Sequence, residues 1–254
     1  MGMDSGLYAA YTGLLARTQA LDTAANNLAN AGTTGFRAQR DYFSGVLAGG
    51  MEQNASMDAS QVGQSVNGFG ILGGNLLDMG QGQLAPTGNP LDFALQGQGF
   101  FAIRTANGIR YTRDGAFMRS STGVLETSQG EPVLDVNQKT ITIPTGAVHV
   151  GPEGNISVAT PNGSAIVGQV GIFDFSDRSA LSAEGTNRFA ADGVKPVAAK
   201  ASVVQGSVEG SNEDAIHGTM QLMLVQRQAE MMQKALSVFD NSFDKIAAED
   251  LPRV

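Results

Sequence analysis

Apolar residues at both ends of this chain recur at alternating spacings of three and four, a rhythm that constrains the fold more than any other feature. At the N-terminal end it runs through Leu7, Tyr11, Leu14, Thr18, Leu21, Ala25 and Leu28, so a leucine returns to one helical face every seven residues. At the C-terminal end it runs through Leu222, Val225, Ala229, Met232, Leu236, Phe239, Phe243 and Ile246. Such a seam is the pattern of a coiled coil, in which one helix buries a narrow apolar line against another. Met220, Met223, Leu224 and Met231 widen the second face beyond what one partner helix covers. Asp4 or Ser5 can cap the first helix, and Asn30 with Gly32 can end it. Ser211 with Asp214 resembles a capping box for the second helix, which Pro252 stops.

Between the ends the period changes to two. Phe101 and Ile103 precede Asn107-Gly108, and Ile109 and Tyr111 follow it, which predicts a β-hairpin. Further strand-like pieces lie at 141–143, 148–150, 155–158 and 167–175, with turns at Asp114-Gly115, Thr122-Gly123 and Asn162-Gly163. The expected fold class is α+β: N- and C-terminal α-helices form a coiled-coil stalk, and an antiparallel all-β domain is inserted between them. The expected boundaries are a helix over 1–35, an extended connector over 36–84 and the β domain over 85–195. A return connector over 196–210 leads to the second helix over 211–254.

Composition narrows the function. A net charge of −8 argues against nucleic acid and anionic membrane as partners, since both need a positive surface. Without cysteine there are no disulfides, thiolate catalysis or cysteine metal sites. The N-terminus lacks the basic and apolar regions of a cleaved secretion signal, so export would use a route without one. His149 has no carboxylate or second histidine at ligand spacing, His217 falls in the first turn of the second helix, and both read as surface or interface imidazoles. Gly68 to Gly73 satisfies a dinucleotide-binding glycine pattern as text, but no strand–turn–helix unit surrounds it. Asp174, Asp177, Glu249 and Asp250 read as solvated charges, and Ser211 as a cap. No catalytic residue, metal, cofactor or small-molecule substrate is expected.

The stretch from Asn26 to Arg37 reads as a joint between helix and connector. Asn26 and Asn30 share a face beside the leucine seam, and asparagine ends helices because its amide competes for backbone groups. Gly32 and Gly35 would let the chain turn, and Phe36 would anchor the exit. The residues expected to carry assembly are Leu7, Tyr11, Leu14, Leu21, Asn26, Asn27, Leu28 and Asn30, with Leu222, Val225, Met232, Leu236, Phe239, Phe243 and Ile246. The asparagine amides are expected to bond across subunits.

Three groups of residues carry a family resemblance. Ser5 to Ala10, Asn26 to Asn30 and Thr34 to Arg37 resemble the N-terminal signature of bacterial flagellar basal-body rod and hook proteins. Residues 89–101 and 110–125 resemble that family's central segments, and 203–212 with 226–236 its C-terminal one. Gly35 to Gln39 and Glu209 to Asn212 look most similar to the proximal-rod branch, with the distal-rod branch next. Glu213-Asp214 departs from the family's apolar residue there. The resemblance implies a structural subunit of the basal-body rod, located in the periplasm and exported by the flagellar type III apparatus. It implies helical polymerisation with copies of itself and neighbouring axial proteins, terminal helices inside and β domain outside, to pass torque from motor to hook. The rival reading is a secreted enzyme or carbohydrate-binding β domain with helical oligomerisation ends, and a 6% aromatic content weighs against it.

Overall fold

The computed structural model describes residues 3–44, 71–160, 163–191 and 193–249. Gly68, Gly70, Asn162, Asp250 and Pro252 lie outside the described residues, as do the side chains of Leu7, Phe239, Phe243 and Ile246. The fold is α+β. Helix α1 spans Met3–Ala29 and helix α2 spans Ala215–Glu249. Between them lie β1 (Gln39–Ser44), β2 (Ile71–Leu77), β3 (Leu84–Pro86), β4 (Phe93–Gln96), β5 (Phe100–Thr105), β6 (Gly108–Thr112), β7 (Phe117–Arg119) and β8 (Leu125–Thr127). There follow β9 (Ala147–Val150), β10 (Asn155–Thr160), β11 (Gly163–Gln169), β12 (Ile172–Phe175), β13 (Leu181–Glu184), β14 (Arg188–Ala191), β15 (Pro196–Ala198), β16 (Ser202–Gln205) and β17 (Ser207–Glu209).

The chain divides into two compact units. One holds Met1–Leu28, Gln39–Leu76 and Ile216–Val254, and thus both helices with the β1–β2 pair. The other holds Ala29–Ala38 and Leu77–Ala215. Its main sheet has the order β13-β14-β6-β5-β12-β15, beside a three-stranded sheet β11-β10-β9 and three two-stranded pairs.

The hairpin at β5 and β6 organises this second unit. Its register runs from Phe101 opposite Thr112 to Thr105 opposite Gly108. The two-residue turn is therefore Ala106-Asn107, one position earlier than the Asn-Gly signal suggests, and Gly108 opens the return strand at φ +106°. Phe101 and Ile103 belong to one core with Phe93, Phe117, Leu125 and Ile156, whereas Phe100 and Ala102 belong to another with Tyr111, Phe175 and Phe189. Strand β5 is thus buried on both faces, unlike the half-exposed alternation expected. Edge-to-face rings knit each core, with Phe101 and Phe117 centroids 5.2 Å apart and Tyr111 and Phe175 4.7 Å apart.

The piece at 167–175 is two strands. It breaks at Gly171, where an added Cβ would fall 2.5 Å from the Asp135 carbonyl oxygen. The segment expected as a return connector contains β15, β16 and β17, of which β16 pairs with β4 and β17 with β3. The exposed rim of β9 is closed by a side chain: the Gln205 amide accepts from Val150 N–H and donates to the Val148 carbonyl. That substitutes for a neighbouring strand and blunts a free sheet edge. Ser211 accepts from Glu213 N–H and so closes a turn just ahead of α2, which begins at Ala215.

Candidate assembly site

Helix α2 presents apolar residues on two nearly opposite faces, as follows from ~100° of rotation per residue. Gly218, Val225, Ala229 and Leu236 are buried on one face, with Leu222 and Met232 half-buried beside them. Ile216, Met220, Met223, Leu224, Met231 and Val238 form the other, and each is at least 51% exposed. Arg227 and Lys234 are also exposed on that second face. The described part of the seam predicted for assembly, Leu222 to Leu236, is therefore the face already covered within the chain, and the methionine-rich face is the open one.

Helix α1 separates its faces by a different rule. The buried line is Gly13, Ala16, Ala20, Thr23, Ala24 and Asn27, small residues that let backbone approach closely. The leucine line is turned well over a quarter turn away: Leu14, Leu21 and Leu28 are half-buried, and Thr18 and Ala25 exposed. Tyr11 is 53% and Leu15 67% exposed.

The joint that follows α1 is bonded within the chain. Asn27 is buried, and its amide donates to the Gln39 carbonyl at 2.8 Å and accepts from Gln39 N–H at 2.9 Å. It splints the helix to β1 as a further strand would, which replaces the inter-subunit bond expected of it. Strand β1 is also held by Thr23, whose hydroxyl donates to Asp41 at 3.1 Å, and by Arg40, which donates to Gln221 of α2 at 3.1 Å. Burial raises the Asp41 carboxyl above its ordinary pKa, and the Thr23 bond partly offsets that. Asn26 is exposed and Asn30 half-buried, where it accepts from the Thr33 hydroxyl at 3.1 Å.

The two glycines of the joint differ. Gly35 sits at φ +69°, and an added Cβ would lie 2.2 Å from the Asp114 amide nitrogen. Gly32 has open space around it. Only Gly35 is demanded by the turn. Phe36 is 3% exposed, as an anchor should be.

Next to the joint lies a buried ionic cluster. Glu209, at the end of β17, is fully buried, and one carboxylate oxygen accepts from Arg37 Nη2 at 2.5 Å and Gly82 N–H at 2.8 Å. The other oxygen accepts from Arg113 Nη1 at 2.9 Å, and the Glu209 carbonyl accepts from Gly35 N–H at 2.8 Å. Burial lowers the Arg113 pKa, and Glu209 works against that. Asn212 adds a second tie, accepting from Ala38 N–H and donating to the Asp78 carbonyl, both within 2.8 Å. Segments 35–38, 78–82, 113 and 209–212 are thereby locked together. Arg37, Glu209 and Arg113 carry no local signal of this, because partners 172 and 96 residues apart share no spacing that a sequence displays.

The candidate catalytic residues lead elsewhere. Asp174 forms a two-pronged bond with Arg178, and Asp177 caps a single 3-10 turn at Arg178–Ala180. His149 pairs in β9 opposite Ser157, and His217 lies in the first turn of α2. A polar cleft of about 300 Å³ is lined by Asp114, Glu131, Asn187 and Arg188, with no aromatic side chain in its lining. Asp114 there is engaged by Thr34, Ala116 and Asn187, and Glu131 by Arg188.

Residues 94–158 match the description of the flagellar hook protein FlgE/F/G D1 domain, and residues 7–37 that of the flagella basal body rod protein. The chain is 30% identical to the flagellar basal-body rod protein FlgF of Mesorhizobium japonicum, over 97% of this chain and 100% of that one. It is 33% identical to the FlgF protein of Caulobacter vibrioides, over 92% and 93% of the two chains. With the flagellar basal-body rod protein FlgG of Bacillus subtilis the identity is 30%, over 94% and 97%.

Proposed function

This chain belongs to the flagellar basal-body rod protein family, and from that premise we propose that it is a structural subunit of the rod that polymerises helically through its terminal helices. The shaft so formed passes torque from motor to hook. Its partners are copies of itself and the neighbouring axial proteins, and it reaches the periplasm through the flagellar type III export apparatus without a cleaved signal. Within the rod it takes a proximal position, the reading its likeness to FlgF proteins favours over FlgG. The terminal helices make the inner, coiled-coil layer. It performs no catalysis.

The observation that carries the reading is the second apolar face of α2. Burying a Leu, Ile, Val or Met side chain contributes about 1.5–3 kcal/mol, and these are 51–70% exposed, so each leaves on the order of 1 kcal/mol unrealised in the lone chain. On α1, Tyr11 and Leu15, 53% and 67% exposed beside the half-buried leucine line, supply a second, smaller surface. A subunit that offers different faces to its two neighbours makes heterologous contacts, and when these do not close into a ring they build an open helical filament.

The test is the double substitution Leu224→Asp and Met231→Asp. Both side chains are mostly exposed, so the purified variant keeps the circular dichroism and urea midpoint of the parent. Cells carrying it are expected to lose basal-body rods and swimming. Normal motility would refute the assembly role.

A further inference from the structure

Three of the residues on the open face of α2 are methionines. Met220, Met223 and Met231 are 51%, 52% and 62% exposed, whereas Met232 on the covered face is half-buried. They share their stripe with Ile216, Leu224 and Val238, which have no side-chain polar atom, and with the exposed cations Arg227 and Lys234. Leucine would fill the same apolar volume without a thioether. The face that this chain needs for joining neighbours is thus also its most oxidisable surface among the described residues.

We propose that Met220, Met223 and Met231 form an oxidative modification site on the free subunit, and that their conversion to sulfoxides blocks its entry into the rod. The oxidant is of the peroxide class. A sulfur lone pair attacks one peroxide oxygen, the O–O bond breaks, and the other oxygen leaves as water after proton transfer. Sulfur is oxidised by two electrons and the peroxide is reduced by two, so one hydrogen peroxide per methionine balances the step. The product replaces a soft apolar group with a strongly accepting S=O dipole. In a dry helix seam that dipole has no donor among Ile216, Leu224 and Val238, and burying it unpaired opposes association. Arg227 lies four residues from both Met223 and Met231 and holds sulfoxides towards water, which keeps the face wet. Once the subunit is in place the three sulfurs are covered, so the site acts on the unassembled pool and spares the finished shaft. Sulfoxide reductases reverse the change, which makes it a gate as well as a lesion.

This inference rests on the assembly reading above, and one experiment separates the two. The full chain and its Met220→Leu/Met223→Leu/Met231→Leu variant are each treated with hydrogen peroxide, and peptide mass mapping reads the sulfoxides. Self-association is then followed by sedimentation velocity over a range of concentrations. Met118, 46% exposed on β7, is present in both and controls for oxidation outside the face. The expected result is selective oxidation at the three α2 sites over Met232 and at least about a tenfold loss of association, close to 1.4 kcal/mol. The leucine variant should associate equally before and after treatment, and reductase should restore the parent. Undiminished association with all three sites converted overturns the inference, as does an equal loss in the leucine variant. An untreated chain that stays monomeric at every concentration instead removes the assembly reading, and the inference with it.

Discussion

Replacing Glu209 with alanine should be among the most damaging single changes in the β-rich unit. The carboxylate is fully buried and serves two guanidinium groups, Arg37 at 2% and Arg113 at 4% exposure, as well as the Gly82 amide. Removing one partner of a buried ion pair costs about 3–5 kcal/mol, because the other charge is left without compensation. Here two charges are stranded and one backbone donor loses its acceptor, which adds roughly 1 kcal/mol. The expected loss is about 5 kcal/mol, a large share of the ~5–15 kcal/mol that holds a typical domain folded. With a urea dependence near 2 kcal/mol per molar, the midpoint falls by about 2.5 M. Tyrosine emission is a suitable probe, since Tyr111 is buried in the second core and the chain has no tryptophan. The companion variant Arg37→Met/Arg113→Met/Glu209→Leu replaces the whole cluster with apolar side chains. It should recover most of the loss, because a buried ion cluster is hard to improve on by removing one charge but easy to replace entire. A midpoint shift below about 0.5 M for Glu209→Ala, or a triple variant less stable than Glu209→Ala, would refute the reasoning.

Other substitutions probe the joint and the cleft. Gly35→Ala should cost at least about 2–3 kcal/mol in urea unfolding, from left-handed backbone and a steric clash together, whereas Gly32→Ala should stay within about 0.5 kcal/mol. Asn27→Ala unsplints β1 from α1 and should cost about 1–3 kcal/mol, with faster hydrogen exchange at the Gln39 amide; unchanged exchange there would count against the bond. Asp114 is held above its ordinary value of 3.8 chiefly by burial, with bonds from Ala116, Thr34 and Asn187 pulling it back. Its folded pKa exceeds its unfolded one, so its contribution to stability is fully present below about pH 3.8 and lost as pH rises through the raised value. Urea midpoints measured from about pH 4 to neutrality should therefore decline less in Asp114→Asn than in the parent. An identical slope in both would show that Asp114 is not the titrating group.

What the sequence made legible was local. The helices follow from a 3.5-residue period in contiguous residues, and on α2 that period also marks the covered line through Val225, Ala229 and Leu236. On α1 the same reasoning picked the leucines, while the line buried in the chain is alanine-rich. Small side chains carry little hydropathy, so close backbone approach leaves a faint signal in sequence. The β5–β6 hairpin was visible because its turn and both strands are adjacent. Strands β16 and β17 were not: Val203 pairs with Leu95 and Val208 with Ala85, more than a hundred positions away. The Arg37–Glu209–Arg113 cluster was hidden for the same reason, although all three of its members stood inside the stretches that carried the family resemblance.

The clasp at Glu209 also sets an order in time. Arg37 must wait for a residue 172 positions downstream before its charge is met. A chain that emerges N-terminus first, from a ribosome or a narrow conduit, therefore carries an open latch until all of it up to β17 is out. Closing so long a loop is slow compared with forming the β5–β6 hairpin. The hairpin can fold early while the ends of the unit remain untied, and the last strand to appear, β17, is the one that shuts it. The molecule thus keeps its own clock, and completion of the β-rich unit reports that every strand has arrived, with α2 still to follow.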